Sequence, residues 1–209
     1  MSAELVVVDY GMGNLASVRN AFERLGAQVR LTSSPVEVAA AARLVLPGVG
    51  AFGHAVEEID RRGLRQSIVE AAGRGAPVLG ICLGMQLLFD ESDESPGARG
   101  LGLVSGRVRR LSAGVRVPHV GWNRLEDVRP VPLLAGVSAG EYLYFVHSYH
   151  AETATEHAAA WTEYGAPIVA VAGRGNVWGV QAHPEKSQRT GEAILRNFLG
   201  LEPGGKGHA

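Results

Sequence analysis

The sequence predicts an α/β fold: a central, largely parallel sheet flanked by helices, with antiparallel strands added in the second half. Three observations predict it. Through residues 1–81, short β-branched runs alternate with helical patterns, the cadence of a parallel sheet covered on both faces. From about residue 106, strand-like runs instead follow one another across turns, as hairpins do. Finally, 209 residues make one large domain and fall short of two ordinary ones. We therefore expect a single domain over 1–200 and a disordered tail over 201–209, "LEPGGKGHA". A chain of this size buries about 70% of the surface its unfolded form exposes, so its core needs neither disulfide nor metal.

Taken in order, "ELVVVD" is the first strand, followed by a helix near Asn14 to Leu25, the strand "QVRLT", a short helix after Pro35 and the strand "RLVLP". A helical pattern runs from Phe52 through Ala72, broken at Gly63, and the apolar "PVLGI" leads into Cys82. In the second half "GRVRRL", "GVRVP", "YLYFVHSY", "AAAWTEY", "PIVAVAG" and "VWGVQAH" read as strands, before a last helix at Gly191 to Leu199.

Composition excludes several function classes. Twenty basic against 21 acidic residues give no global field for nucleic acid or anionic lipid. No apolar run approaches the roughly 18 residues of a membrane span. The start "MSAELVVVDYG" lacks the basic flank and long apolar run of a signal peptide, and a single cysteine fits a reducing compartment, so a cytoplasmic location is expected. Arg107, Arg109, Arg110 and Arg116 lack interleaved aromatics, which suits a solvated strand face or a protein contact better than RNA. The expected partners are small molecules and proteins.

Three motifs bear on chemistry. "VVVDYGMGNLAS" sets Gly11, Gly13 and Ala16 after a strand and at a helix start, as in a dinucleotide fingerprint. The acid that should follow about twenty residues later is missing, because the second strand ends in "RLTSS" and Glu37 lies beyond it. A tight strand-to-helix turn accounts for the glycines, and no cofactor is expected. "HSYH" brings His147 and His150 close in sequence, but residues three apart in a strand face opposite sides. With one cysteine and no H-E-x-x-H, no metal site is expected either.

The third motif is "VLGICLGMQLLF". Gly80-Ile81-Cys82-Leu83-Gly84 is a cysteine version of the G-x-S-x-G nucleophile elbow, set between a buried strand and a helix. The two glycines remove side chains that would collide across the turn, and a helix N-terminus favours a thiolate. Far downstream, "GVQAHPEKS" ends a strand in His183-Pro184-Glu185. A nucleophilic thiol needs a base, and the base needs a third group to fix its tautomer. His183 suits the base and Glu185 the orienting group.

"GICLGMQLLF" with "QAHPEKS" resembles the class I (triad) glutamine amidotransferases over essentially the whole chain, from about Leu5 to Leu199. "VVVDYGMGNLASV", "VLPGVGAFG", "PHVGWNRL" and "YFVHSYH" narrow the resemblance to the glutaminase subunits of imidazole glycerol phosphate synthase, in histidine biosynthesis. The resemblance implies that the fold is class I glutamine amidotransferase-like and that Cys82 attacks the side-chain amide of L-glutamine. His183 and Glu185 complete the triad, and the backbone N–H of Leu83 and the loop at Val49 and Gly50 stabilise the oxyanion. It places Gly50, Gln86, Glu94, His147, Ser148 and Tyr149 around the bound glutamine, although Asp93 or Glu91 could do the work of Glu94. It also implies a separate (βα)₈-barrel cyclase subunit as heterodimer partner, with Asn14, Trp122, Tyr144 and Lys186 at the docking face. Two alternatives stay open: a glutaminase subunit for another acceptor, as in vitamin B6 or anthranilate synthases, and a non-catalytic module or general cysteine hydrolase on the same fold.

Overall fold

The computed structural model describes residues 4–202 and 204. The expected cadence of the first half is present: β1 (Glu4–Val8), α1 (Leu15–Arg24), β2 (Gln28–Thr32), α2 (Pro35–Ala40), β3 (Leu44–Leu46), α3 (Phe52–Arg61), α4 (Leu64–Gly73) and β4 (Val78–Ile81). Local chemistry sets the boundaries. Asn14 caps α1 by accepting from the Ser17 N–H at 3.2 Å, and Ser34 with Pro35 opens α2. Gly63 separates α3 from α4 in the left-handed region, at φ 68°.

Beyond Cys82 come α5 (Leu83–Gln86), β5 (Glu91–Ser92), β6 (Arg107–Arg110), β7 (His119–Val128), β8 (Tyr142–His147), β9 (Tyr149–Glu152), β10 (Ala158–Glu163), β11 (Pro167–Arg174), β12 (Val177–Val180) and α6 (Gln188–Gly200). The main sheet has nine strands in the order β2-β1-β3-β4-β12-β11-β10-β7-β8. Pairings from β2 to β12 are parallel, and those from β12 to β8 are antiparallel. This is the mixed architecture the sequence predicts. A small second sheet, β5-β6-β9, flanks it.

Apolar residues fill both faces. Val6 and Val8 of β1 pack with Phe52, Ile59, Leu64 and Ile68 of α3 and α4. Leu5 and Val7, pointing the other way, pack with Phe22 of α1 and Ile194 and Phe198 of α6. The period of two in β1 thus supplies two cores from one strand.

Four boundaries differ from expectation. "GVRVP" is a turn, and the strand lies just after it: β7 begins at His119. The Arg116 carbonyl accepts from the Tyr164 hydroxyl at 2.7 Å in place of a ladder partner. The run at 142–149 is interrupted at Ser148, so β8 and β9 belong to different sheets. The last helix starts at Gln188, three residues early, and β12 ends at Val180, before His183. Of the expected tail, Leu201 accepts from Arg43 at 2.9 Å and the Gly204 N–H donates to Gly75 at 2.9 Å; residues 203 and 205–209 lie outside the described residues.

Candidate active site

The topology brings three loops together. β3 and β12 flank β4 in the sheet, so the segments leaving their carboxyl ends meet where ligands sit in open α/β folds: Pro47–Gly50 after β3, Cys82 after β4, and Gln181–Glu185 after β12.

Cys82 sits at φ 54°, ψ −109°, a region that non-glycine residues rarely occupy, at a cost of about 1–3 kcal/mol. The turn is held by the Cys82 N–H donating to Val180 at 2.8 Å and by Gln86 donating back to the Cys82 carbonyl at 3.2 Å. The elbow glycines are sterically required. A Cβ on Gly84 would lie 1.8 Å from the Leu46 carbonyl oxygen, and one on Gly80 would lie 2.4 Å from that of Gly84. The following helix α5 is only one turn long, so the dipole expected to favour the thiolate is reduced to the unpaired N–H groups of that turn. Among the described residues the Leu83 N–H has no hydrogen-bond partner.

His183 is buried, and its Nδ1 lies 2.9 Å from Glu185 Oε1. A carboxylate only accepts, so Nδ1 carries a proton and Nε2 is the nitrogen left to exchange a proton with the thiol. The geometry comes from the short 3₁₀ turn Pro184–Lys186 and not from an extended strand end. Ser187 Oγ donates to the His183 carbonyl at 2.6 Å, and the His183 N–H donates to Tyr144 at 2.8 Å. Burial pushes the imidazole pKa down, but the hydrogen bond to Glu185 and the nearby Cys82 sulfur outweigh it and raise it to about 9, while the Cys82 thiol itself donates to the Val146 carbonyl at 3.6 Å. The Glu185 side chain is 2% exposed, and its Oε2 has no partner among the described residues.

A cleft of about 360 Å³ is lined by Cys82, His183, Leu83, Val49, Gly50, Gln86, Glu94, His147, Ser148, Tyr149 and Lys186. Every residue expected in catalysis, oxyanion binding or substrate binding lines it except Glu185, which stands behind His183. Pro118 and Val146 also line it and were not anticipated. A second cleft of about 370 Å³, behind Glu185 and against α1 and α6, contains no nucleophile.

Two expected contacts take a different form. Of the three loop acids only Glu94 lines the cleft; Glu91 pairs with Arg99 at 2.9 Å and Asp93 with Arg109 at 3.4 Å. Glu94 Oε2 also accepts from the Phe52 N–H at 2.8 Å, so it caps α3 from outside that helix. Gln86 is 5% exposed, and its amide N–H groups are taken by the Tyr149 carbonyl at 3.0 Å and Gln181 Oε1 at 3.1 Å. Only its Oε1 remains for a ligand. Gln181 was missed; its Nε2 lies 3.8 Å from the Cys82 sulfur. The one available signal was its place two residues before His183 in "QAHPE".

The expected docking residues are exposed or half-buried. Asn14 and Lys186 are exposed, and Trp122, 46% exposed, meets Tyr144 edge-on at 5.8 Å. Register pairs Trp122 with Tyr144, Val120 with Val146 and Arg124 with Tyr142. Exposed Val120 and Tyr142 therefore extend the same apolar face, which the alternation of β7 and β8 would have revealed had 119–128 been read as a strand. Two of the three β6 arginines are paired with acids, Arg107 with Glu152 at 2.7 Å and Arg109 with Asp93 at 3.4 Å, consistent with a solvated face.

A cysteine on a strained elbow, a carboxylate-oriented histidine and a sheet of this topology define a class of enzyme, and the chain belongs to it: residues 6–200 match the family profile "Glutamine amidotransferase class-I". Solved structures share the fold, among them "Crystal structure of glutamine amidotransferase", with a TM-score of 0.74, 19% identity and coverage of 94% of this chain and 99% of that one. Another is "Structure of PurLQS from Thermotoga maritima", at 0.71 and 20%, covering 96% and 99%. Within the class, the chain is 47% identical over 207 residues to imidazole glycerol phosphate synthase subunit HisH of Moorella thermoacetica, covering 98% of this chain and 99% of that one. It is 51% identical over 197 residues to subunit HisH of Symbiobacterium thermophilum, covering 94% and 93%.

Proposed function

We propose that this chain is the glutaminase subunit of an imidazole glycerol phosphate synthase in histidine biosynthesis, hydrolysing L-glutamine to glutamate and ammonia. The observation that carries the reading is a thiol and an imidazole lining one cleft, with a carboxylate behind the imidazole at 2.9 Å, in a chain similar throughout to HisH subunits.

The chemistry follows from the residues. Cys82 passes its thiol proton to His183 Nε2 and its Sγ attacks the side-chain amide carbon of glutamine, and the oxygen becomes an oxyanion facing the Leu83 N–H. A second donor comes from the Val49–Gly50 segment, whose amides have no hydrogen-bond partner among the described residues. His183 gives its proton to the leaving nitrogen, the C–N bond breaks, and ammonia departs from a glutamyl thioester. His183 then takes a proton from water, whose oxygen attacks the thioester carbon, releasing glutamate and restoring the thiol. Glu185 holds the ring in one tautomer through both steps. Glu94 and the Gln86 Oε1 suit the substrate ammonium, while the backbone of His147, Ser148 and Tyr149 suits its carboxylate.

Ammonia released into neutral water becomes ammonium and loses its nucleophilicity, so the product must reach its acceptor directly. The partner is a (βα)₈-barrel cyclase subunit that uses ammonia to form imidazole glycerol phosphate and an aminoimidazole carboxamide ribonucleotide. It docks on Asn14, Trp122, Tyr144 and Lys186, beside the cleft. A reducing cytoplasm keeps Cys82 a thiol.

A glutamine-analogue electrophile tests the nucleophile. Covalent mass should appear on the peptide carrying Cys82, be suppressed by excess glutamine and vanish in Cys82→Ala. Modification elsewhere, or insensitivity to glutamine, would contradict the reading.

A further inference from the structure

"PHVGWN" contributes more than an exposed tryptophan. His119 and Asn123 lie four apart on β7 and so share the face opposite Trp122. His119 is 4% exposed, and its register partner on β8 is His147, 5% exposed. Neither imidazole is a member of the triad.

The proton positions in this cluster can be derived. His147 Nδ1 lies 2.9 Å from the Tyr149 carbonyl oxygen, which can only accept, so Nδ1 carries hydrogen. Burial holds His147 neutral, its pKa lowered to about 3, so its Nε2 has a lone pair and no proton. His119 Nδ1, 3.0 Å away, must then be the donor. That leaves His119 Nε2 as an acceptor, facing Asn123 Nδ2 at 3.4 Å. The Asn123 amide is oriented independently: its Oδ1 accepts from the Arg124 N–H at 2.9 Å and its Nδ2 also donates to the Glu163 carbonyl at 2.9 Å. Every donor therefore points one way, from Asn123 to His119 to His147 to the Tyr149 carbonyl. The His119 ring is clamped between Phe145 and Tyr164, at centroid distances of 5.1 and 3.9 Å.

The relay ends on the segment that must be irregular. Ser148 interrupts the strands, and β8 and β9 diverge into different sheets there. The Tyr149 carbonyl receives two donors, His147 Nδ1 and Gln86 Nε2, which fix its orientation in the wall of the cleft that all three residues line. We infer that His119 is a positioning residue for glutamine: acting through His147, it fixes the 147–149 backbone in the shape that receives the substrate's α-carboxylate. The inference rests on the functional reading above.

Two measurements test it. In histidine-labelled parent chain at neutral pH, ¹⁵N imidazole spectra should show the Nδ1–H tautomer for both His119 and His147; the Nε2–H form at either would overturn the relay. Kinetics supply the second. His119→Phe keeps a ring between Phe145 and Tyr164 but has no donor, and should raise KM for glutamine about tenfold, with kcat falling by less than KM rises. His119→Asn places an amide N–H near the position of Nδ1 and should bring KM back to within about threefold of the parent. A parent-like KM in His119→Phe, or a rise that asparagine does not reverse, defeats the inference. If His119→Phe does not fold, the parent tautomers decide. Absence of glutamate release by the parent chain in its complex would defeat the functional reading itself, a result distinct from a normal parent with an unaffected variant.

Discussion

The charge on His183 is set by two neighbours working against its burial. Cys82 and Glu185 raise the imidazole from 6.5 to about 9, so at neutral pH the protonated form is favoured. A raised folded-state pKa contributes stability that is fully present below 6.5 and is lost as pH rises through about 9. His147 behaves in the opposite sense. Its pKa falls from 6.5 to about 3, so its contribution is present above 6.5 and is lost as pH falls through about 3, with a slope of about 1.4 kcal/mol per pH unit for one proton. Glu185→Gln should lower the His183 titration midpoint and shrink the alkaline loss of stability, measured by histidine NMR and by urea unfolding on both sides of pH 9. An unmoved midpoint would mean that Glu185 does not stabilise the imidazolium. Kinetically, His183→Ala should be nearly as damaging as Cys82→Ala and Glu185→Gln milder. The Cys82→Ala/His183→Ala pair should be little worse than either alone, because a triad acts as a unit; a multiplicative loss would contradict the assigned roles.

At the scale of elements, α3 joins the acid proposed for substrate binding to the loop proposed for the oxyanion, since Glu94 caps its first turn at Phe52 and Val49–Gly50 lead directly into it. Glu94→Gln keeps a carbonyl oxygen for the cap but loses the charge. It should preserve thermal stability while raising KM for glutamine, whereas Glu94→Ala should raise KM and cost about 1 kcal/mol of stability as well. Equal melting temperatures for the two variants would show that the cap carries no weight. The sequence made the elbow legible because its glycines answer local collisions: nothing but hydrogen fits 1.8 Å from the Leu46 oxygen. The first-half strands were legible because β1, β3 and β4 are short apolar runs and β2 alternates apolar with polar residues, each closed by turn residues. β7 was not, because its ladder depends on β8 and β10, while "HVGWNRLEDV" carries a glycine and charges that weaken local propensity. "GVRVP" failed in reverse, with good β-branched residues and no partner strand. The Cys82, His183 and Glu185 pattern proposed as the triad was visible as a motif, but Gln181, His119 and the cap role of Glu94 depend on contacts between distant segments that no local pattern encodes.

At the scale of the whole molecule, the cleft and the exposed Val120–Trp122–Tyr142 face lie on the same β7–β8 hairpin as Val146 and His147, so a partner docked there would sit beside the cleft. The Val49 segment, 44% exposed at Val49 and free of backbone partners among the described residues, suits a peptide that turns when the partner binds. If its carbonyl faces the oxyanion position in the free chain, that chain lacks one donor, and docking of the cyclase with its nucleotide ligand should raise kcat about 10²- to 10³-fold. KM should change little, because the donor meets charge that exists only in the transition state. Equal kcat for the chain alone and in both complexes would remove the gate. The central claim, that Cys82 serves ammonia production and nothing else in the coupled reaction, is tested most directly by Cys82→Ala in an assembled two-subunit complex supplied with glutamine or with ammonium salts. The account predicts no imidazole glycerol phosphate from glutamine and parent-like synthesis from ammonium. Retained glutamine-dependent synthesis, or failure with ammonium in a complex shown to be intact, would contradict it.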